Sequence, residues 1–273
     1  MTFTDFCRAN SLDIIHAKIS NQWQRCGTIS HPSSKNGAYI FDGERGACMN
    51  WSADLEPNIY TPTGQIKPVD REWLKTQQAR QKAEKDKLNA AAAKKAAWLL
   101  SQAKAEKHAY LERKGFKGKK LHVYEEKLII PMFVQKILVG CQSIDIEGDK
   151  RFIYGQQTSY ATHTIGSGNV NFLCEGYATG LSVQAALSAL NIKYKIHVTF
   201  SAGNMLKVAR NTPKGFIIAD NDESLTGETV AREIGWKYYL PETIGHDAND
   251  ALLTMGLFKF SQQIALQLGN FKL

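Results

Sequence analysis

Three groups of carboxylates carry most of the chemistry in this 273-residue sequence. Phe172-Leu173-Cys174-Glu175-Gly176 is a short apolar run that ends in acid, and Ile217-Ile218-Ala219-Asp220-Asn221-Asp222 is a second. Gly245-His246-Asp247-Ala248-Asn249-Asp250 adds acid just ahead of an apolar stretch. A short apolar run followed by Gly or a helix-like stretch reads as a buried strand of a parallel sheet. Ligand sites in such sheets lie beyond the carboxyl ends of the strands. Glu175, Asp220 and Asp222 are therefore expected at one rim. Three carboxylates there repel one another unless a cation sits among them, and hard oxygen donors suit magnesium or manganese. The chemistry of such a site is phosphoryl transfer. A D-x-D pair alone more readily caps a helix or closes an Asx turn. Glu175 and the Asp247 cluster at matching strand ends tilt the reading towards metal.

The intervening sequence supplies the elements that must hold these groups. Residues 176–190 place apolar side chains at helical intervals, and 195–200 read as a strand. A short helix follows Ser201-Ala202-Gly203-Asn204, Lys214-Gly215 turns into the second acidic strand, and 236–240 form another strand. Such a β-α-β-α-β stretch can set the first and third strands side by side.

Glu-Gly-Tyr-Ala-Thr-Gly (175–180), Ser-Ala-Gly-Asn (201–204), Asp-Asn-Asp (220–222) and Asp-Ala-Asn-Asp (247–250) together resemble the Toprim catalytic domain. More narrowly, they resemble the Toprim primases carried by plasmids, phages and prophages. Upstream, Tyr110-Leu111-Glu112-Arg113-Lys114-Gly115, Leu128-Ile129-Ile130-Pro131-Met132, Val139-Gly140-Cys141-Gln142-Ser143-Ile144 and Gly148-Asp149-Lys150-Arg151-Phe152 follow that family's order. The resemblance covers roughly residues 109–255, and an ordered set is more specific than any one motif. It implies an α/β fold with a parallel, Rossmann-like Toprim sheet. It further implies that Glu175 acts in catalysis and that Glu175, Asp220 and Asp222 bind two divalent ions, Mg2+ or Mn2+. Asp247 and Asp250 would assist the second ion, and Lys150 would face nucleotide or template–primer phosphates. The last acidic pair of the family is D-x-D-like, and Asn249-Asp250 departs from that spacing.

Charge is concentrated upstream of this unit. Residues 66–120 hold sixteen Lys or Arg against six Asp or Glu, an excess larger than the net charge of +8 for the whole chain. Residues 69–108 are rich in Ala, Lys, Gln and Glu and contain no Gly or Pro, which reads as a helix. Any single lysine here belongs to a solvated face. As a group they suit a phosphate backbone, with salt-dependent affinity. The basic run continues through Arg113, Lys114, Lys117, Lys119 and Lys120, and a Glu147-Gly148-Asp149 turn presents Lys150 and Arg151. These are the expected nucleic-acid contacts. Short strands over 128–133 and 136–141, and one ending at Ile146, make a small mixed subdomain before the Toprim unit.

In the first sixty-five residues, alternation over 38–41 between Asn-Gly and Asp-Gly reads as a hairpin. Cellular primases place a zinc module at this position. Cys7, Cys26, Cys48, His16 and His31 lack paired-ligand spacing, so zinc is not expected. Trp23, Tyr39 and Trp51 are assigned to the core, and His163 and His197 to structural or exposed positions. The expected organisation is a small β-rich domain (1–65), a basic helical connector (66–108), a basic α+β subdomain (109–168) and a Toprim domain (169–273).

Five irregularly spaced cysteines suit a reducing cytoplasm, no apolar run is long enough to span a bilayer, and the N-terminus lacks a signal-peptide pattern. The activity that the resemblance implies is DNA primase: short RNA primers made from ribonucleoside triphosphates on single-stranded DNA. No G-x-x-x-x-G-K-[ST] occurs, so any helicase partner is a separate polypeptide. Two alternatives stay open: a Toprim nuclease using the same carboxylates, and a single-stranded DNA-binding accessory protein without catalysis. A topoisomerase needs a nucleophilic tyrosine in a further large domain, for which this chain has no room.

Overall fold

A computed structural model describes residues 1–54, 56–64 and 68–269. Among them the chain is a mixed α/β protein with three five-stranded sheets and seven helices. It divides into two compact units, Met1–Lys87 and Leu88–Leu273. The domain boundary expected at 65/66 lies outside the described residues.

The first unit begins with α1 (Phe3–Ala9), capped reciprocally by Thr2 and Asp5. An antiparallel sheet follows in the order β1 (Leu12–Asp13), β2 (Ser20–Thr28), β3 (Gly37–Phe41), β4 (Gly46–Asn50) and β5 (Asn58–Tyr60). Phe3 stacks on Phe41 with centroids 4.4 Å apart, over Gly46. A Cβ on Gly46 would stand 2.3 Å from the Phe3 ring, so only glycine permits this packing. Tyr39 is buried as expected, and Trp23 is half-buried. Trp51 departs from its core assignment: it is exposed, with the Arg25 guanidinium 5.7 Å over its ring. Cys7, Cys26 and Cys48 meet on the α1 side of the sheet, which their sequence spacing gave no sign of. Burial and the Cys48 thiol push Cys26 up to about 11, and hydrogen bonding with Cys48, then burial, pushes Cys7 higher still.

Helix α2 (Pro68–Gln102) has apolar anchors at its two ends. Leu74 is buried with Ile40 and Ala47 of the first unit, while Ala96 is buried with Ile129 and Cys141 of the second. Most of 78–91 between them is exposed. The helical connector expected over 66–108 ends early. Lys104–Glu106 is instead an edge strand, β6, because pairing with β7 (Leu121–Tyr124) overrides the helix propensity of Ala, Lys and Glu.

Within the second unit, β6 to β10 form an antiparallel sheet in the order β10-β9-β8-β7-β6, with α3 (Ala109–Arg113) between β6 and β7. Strand β8 is Lys127–Val134, β9 is Ile137–Ile144 and β10 is Lys150–Phe152. The two hairpin turns place Glu125-Glu126 and Gln135-Lys136 at positive φ without glycine, and the second joins the two strands expected over 128–133 and 136–141. The separate strand expected to end at Ile146 is the end of β9. The turn after it is organised by Asp145, whose Oδ1 accepts from the Gly148 and Asp149 amides.

The third sheet runs β11-β13-β12-β14-β15: His163–Ile165, Tyr194–Val198, Val170–Cys174, Phe216–Ile218 and Lys237–Tyr239. Strands β12 to β15 are parallel to their neighbours, and β11 is antiparallel to β13. Its connections include α4 (Tyr177–Ala189), α5 (Ala202–Ala209) and α6 (Thr226–Ile234), and α7 (Ala248–Leu268) follows β15. Phe172, Cys174, Phe216 and Ile218 pack into the core that includes α4 and α7, whereas Leu173 and Ile217 pack with α5 and α6. Burial on both faces explains why these strands read as unbroken apolar runs. No helix among the described residues is long and apolar enough to cross a membrane.

Candidate functional site

The chain runs from β12 to β13 on one side and then crosses back to β14 on the other. Crevices at such reversals, beyond the strands' carboxyl ends, are where ligands sit in open α/β sheets. Glu175 follows β12 and Asp220 lies two residues beyond β14, so both project at this reversal. Gly227, in the first turn of α6, lets that helix close on the strand end: a Cβ there would stand 2.4 Å from the Asp220 carbonyl oxygen.

The groups sense one another. Burial raises Asp220 to about 7, with Asp247, Glu175 and Asp222 adding to the rise and Lys150 opposing it. Glu175 is also raised, by burial first; Lys150 and a hydrogen bond from the Ala202 amide pull it back. The Asp220 Oδ1 is sealed from solvent and has no hydrogen-bond partner among the described residues. A buried acceptor without a donor, in negative surroundings, is a place where a proton or a cation is stabilising.

Each of the other expected ligands accepts local hydrogen bonds. Asp222 Oδ1 accepts from Ser224 Oγ (2.5 Å) and the Thr226 amide (3.1 Å), so its carboxyl falls below the usual range. This is the turn-closing role that D-x-D also allows. Asp247 caps α7: its Oδ1 accepts from the Asn249 and Asp250 amides, and its Oδ2 lies 3.5 Å from Thr179 Oγ1. Asp250 completes the capping box through Oδ2 and pairs with Lys114 through Oδ1, 3.5 Å away. Among the described residues no group of three or more His, Cys, Asp or Glu side chains is arranged to hold a metal ion. Glu175 and Asp220 have the donor chemistry for a hard cation, and Asp222, Asp247 and Asp250 also accept local hydrogen bonds.

Sequence reasoning missed the residue that brings Asp247 here. Asn221, between the two aspartates, is buried; its Nδ2 donates to the Pro241 carbonyl (2.8 Å) and its amide to that of His246 (3.0 Å). It thereby fastens 241–247 to the end of β14. Phe200 was missed too. It adopts φ +66°, donates its amide to the Glu175 carbonyl and packs edge-on against Phe152, 6.2 Å between centroids.

The expected nucleic-acid contacts divide into two groups. Arg113 donates to the Ile146 carbonyl, Lys114 pairs with Asp250, and half-buried Lys119 donates to Gln184 Oε1 (3.2 Å). These three help hold the loop after α3 in place. Lys117, Lys120 and Arg151 are exposed. His163 and His197 bond Pro131 O (3.0 Å) and Asn171 Oδ1 (3.1 Å), and burial lowers both. Comparison of the chain with protein-family models, curated proteins and solved structures finds no match.

Proposed function

We propose that this chain is a Toprim-type DNA primase, making short RNA primers on single-stranded DNA by metal-dependent nucleotidyl transfer. The observation that carries the reading is the convergence of Glu175 and Asp220 beyond neighbouring parallel strands, with Asp220 Oδ1 unpaired and Lys150 alongside. The order of motifs along the sequence adds to it, as do the parallel pairings of β12 with β13 and β14.

Glu175 and Asp220 would hold the cation. Divalent ions, when bound, would activate a primer 3′-hydroxyl and stabilise the departing pyrophosphate. Lys150 would meet the phosphoryl oxygens of the incoming nucleotide and oppose their growing charge. The Ala202 amide favours the ionised Glu175 carboxylate, and Asn221 holds the wall of the crevice in place. Lys117, Lys120 and Arg151 would supply cations to the template backbone.

The test is incorporation of labelled ribonucleotides on single-stranded DNA with Mg2+ or Mn2+. Lys150→Ala should lower synthesis by roughly a hundredfold while leaving DNA binding within a few-fold of the parent. No incorporation by the parent protein on any template sinks the reading.

A further inference from the structure

A cleft of about 420 Å3 opens in the Leu88–Leu273 unit between the end of α2 and the face of the second sheet that carries Ile129, Cys141 and Ser143. Pockets for small organic groups run from roughly 300 to 1,000 Å3. Aromatic side chains dominate this one. Trp98 remains 51% exposed and Tyr154 86% exposed, while Tyr124 meets Trp98 edge-on with centroids 5.4 Å apart. Large aromatic surface left in water on a concave wall forgoes the burial that usually fixes such residues in a fold. Lys95 and Lys127 line the same cleft, with Glu125 as the one acid. Arg151 pairs across the sheet with Ser143, which lines the cleft. Flat aromatic faces framed by cations match an unpaired nucleic-acid strand, whose bases stack while its phosphates meet the charges.

Strand β10 links the cleft to the carboxylates. Lys150 acts on Glu175 and Asp220, and Phe152, two residues along β10, lines the cleft and packs on Phe200, whose amide bonds the Glu175 carbonyl. We infer that the cleft is a subsite for single-stranded DNA, holding one base against Trp98 and Tyr154 with its flanking phosphates on Lys95 and Lys127. The inference takes from the proposed function only the partner, single-stranded DNA, and not catalysis.

The experiment uses the full chain with a fluorescent oligothymidylate and a 5-bromouracil-substituted one for photocrosslinking. Trp98→Ala and Tyr154→Ala should each weaken binding roughly tenfold, the usual effect of removing one stacking platform. Trp98→Phe should recover most of the loss, and the crosslink should map to a peptide bearing Trp98 or Tyr154. Tyr154 is exposed enough that its removal leaves the fold intact, and circular dichroism checks the Trp98 variants. Unchanged affinity in both alanine variants overturns the inference, as does a crosslink confined to other peptides. Thymidine monophosphate competing as well as the oligonucleotide overturns it as well, because the cleft would then take a free nucleotide. Asp220→Asn should lose synthesis and keep the crosslink. Crosslinking without synthesis by the parent strikes the catalytic reading alone, and synthesis without crosslinking strikes this inference alone.

Discussion

Asp220 and Asp222 stand two residues apart and do opposite things to stability. Asp220 titrates near 7 in the folded chain, against 3.8 for the free side chain, with burial as the first cause. Between those values the folded state holds a proton that the unfolded state has released. The associated stability is fully present below about pH 4 and is lost as pH rises through about 7, a change on the order of a few kcal/mol at most. Metal-free protein should therefore be less stable towards urea at pH 8 than at pH 5 through this group, and Asp220→Asn should flatten the profile. A divalent ion competes with the same proton, so Mg2+ should raise the melting temperature more at pH 8 than at pH 5 and do little for the Asn variant. Equal Mg2+ shifts in both proteins would remove Asp220 from the metal site. Asp222→Ala, in contrast, should cost about 1 kcal/mol by removing the acceptor for Ser224 and the Thr226 amide. Glu175 and Asp220 were legible because an acid ending an apolar run has few structural uses. Asn221 was not, because its partners, Pro241 and His246, become neighbours only after β15 has docked beside β14.

Among the elements, the contact of α6 with β14 most directly shapes the crevice. Gly227→Ala would drive a Cβ against the Asp220 carbonyl, so helix or strand must shift. Overpacking of this kind costs typically about 1–3 kcal/mol. Urea unfolding should register that loss, and the Mg2+-dependent rise in melting temperature should shrink with it. A variant with parent stability and an unchanged Mg2+ response would show that the close approach does not position Asp220. Strands β12 and β14 were readable from their apolar runs, since burial on both faces leaves no alternation to confuse them. Strand β6 was not readable. Lys104-Ala105-Glu106 has the composition of the helix it follows, and only pairing with β7 makes it a strand. The β7–β8 hairpin escaped for a related reason, because its turn uses Glu125 and Glu126 at positive φ where glycine or asparagine would have announced it, whereas β8 and β9 were read from their apolar runs.

For the whole molecule, α2 is anchored by Leu74 at one end and Ala96 at the other, with an exposed stretch between them that contributes little packing to either unit. Calorimetry should resolve two unfolding transitions, and one transition with equal calorimetric and van't Hoff enthalpies would show a single cooperative unit. Net positive charge was plain in the sequence, but its division was not, because Arg113, Lys114 and Lys119 have partners far away along the chain. Lys117→Glu with Lys120→Glu should lower the salt dependence of single-stranded DNA binding by about 0.7 in log–log slope for each phosphate deprived of its lysine. An unchanged slope would make both lysines mere solvated charges. The buried thiols offer a way to watch the two units separately. Cys7 and Cys48 are buried in the first, Cys141 and Cys174 in the second, and burial raises Cys141 to about 11. An alkylating reagent attacks the thiolate, so each of these sulfurs is protected until its surroundings open. Timed quenching with isotopically distinct reagents, followed by mass spectrometry of the cysteine peptides, would turn the native chain into two opening clocks in one tube. If Mg2+ or single-stranded DNA slows Cys174 while Cys7 keeps its rate, ligand binding is recorded in the unit that holds the carboxylates, with no residue altered.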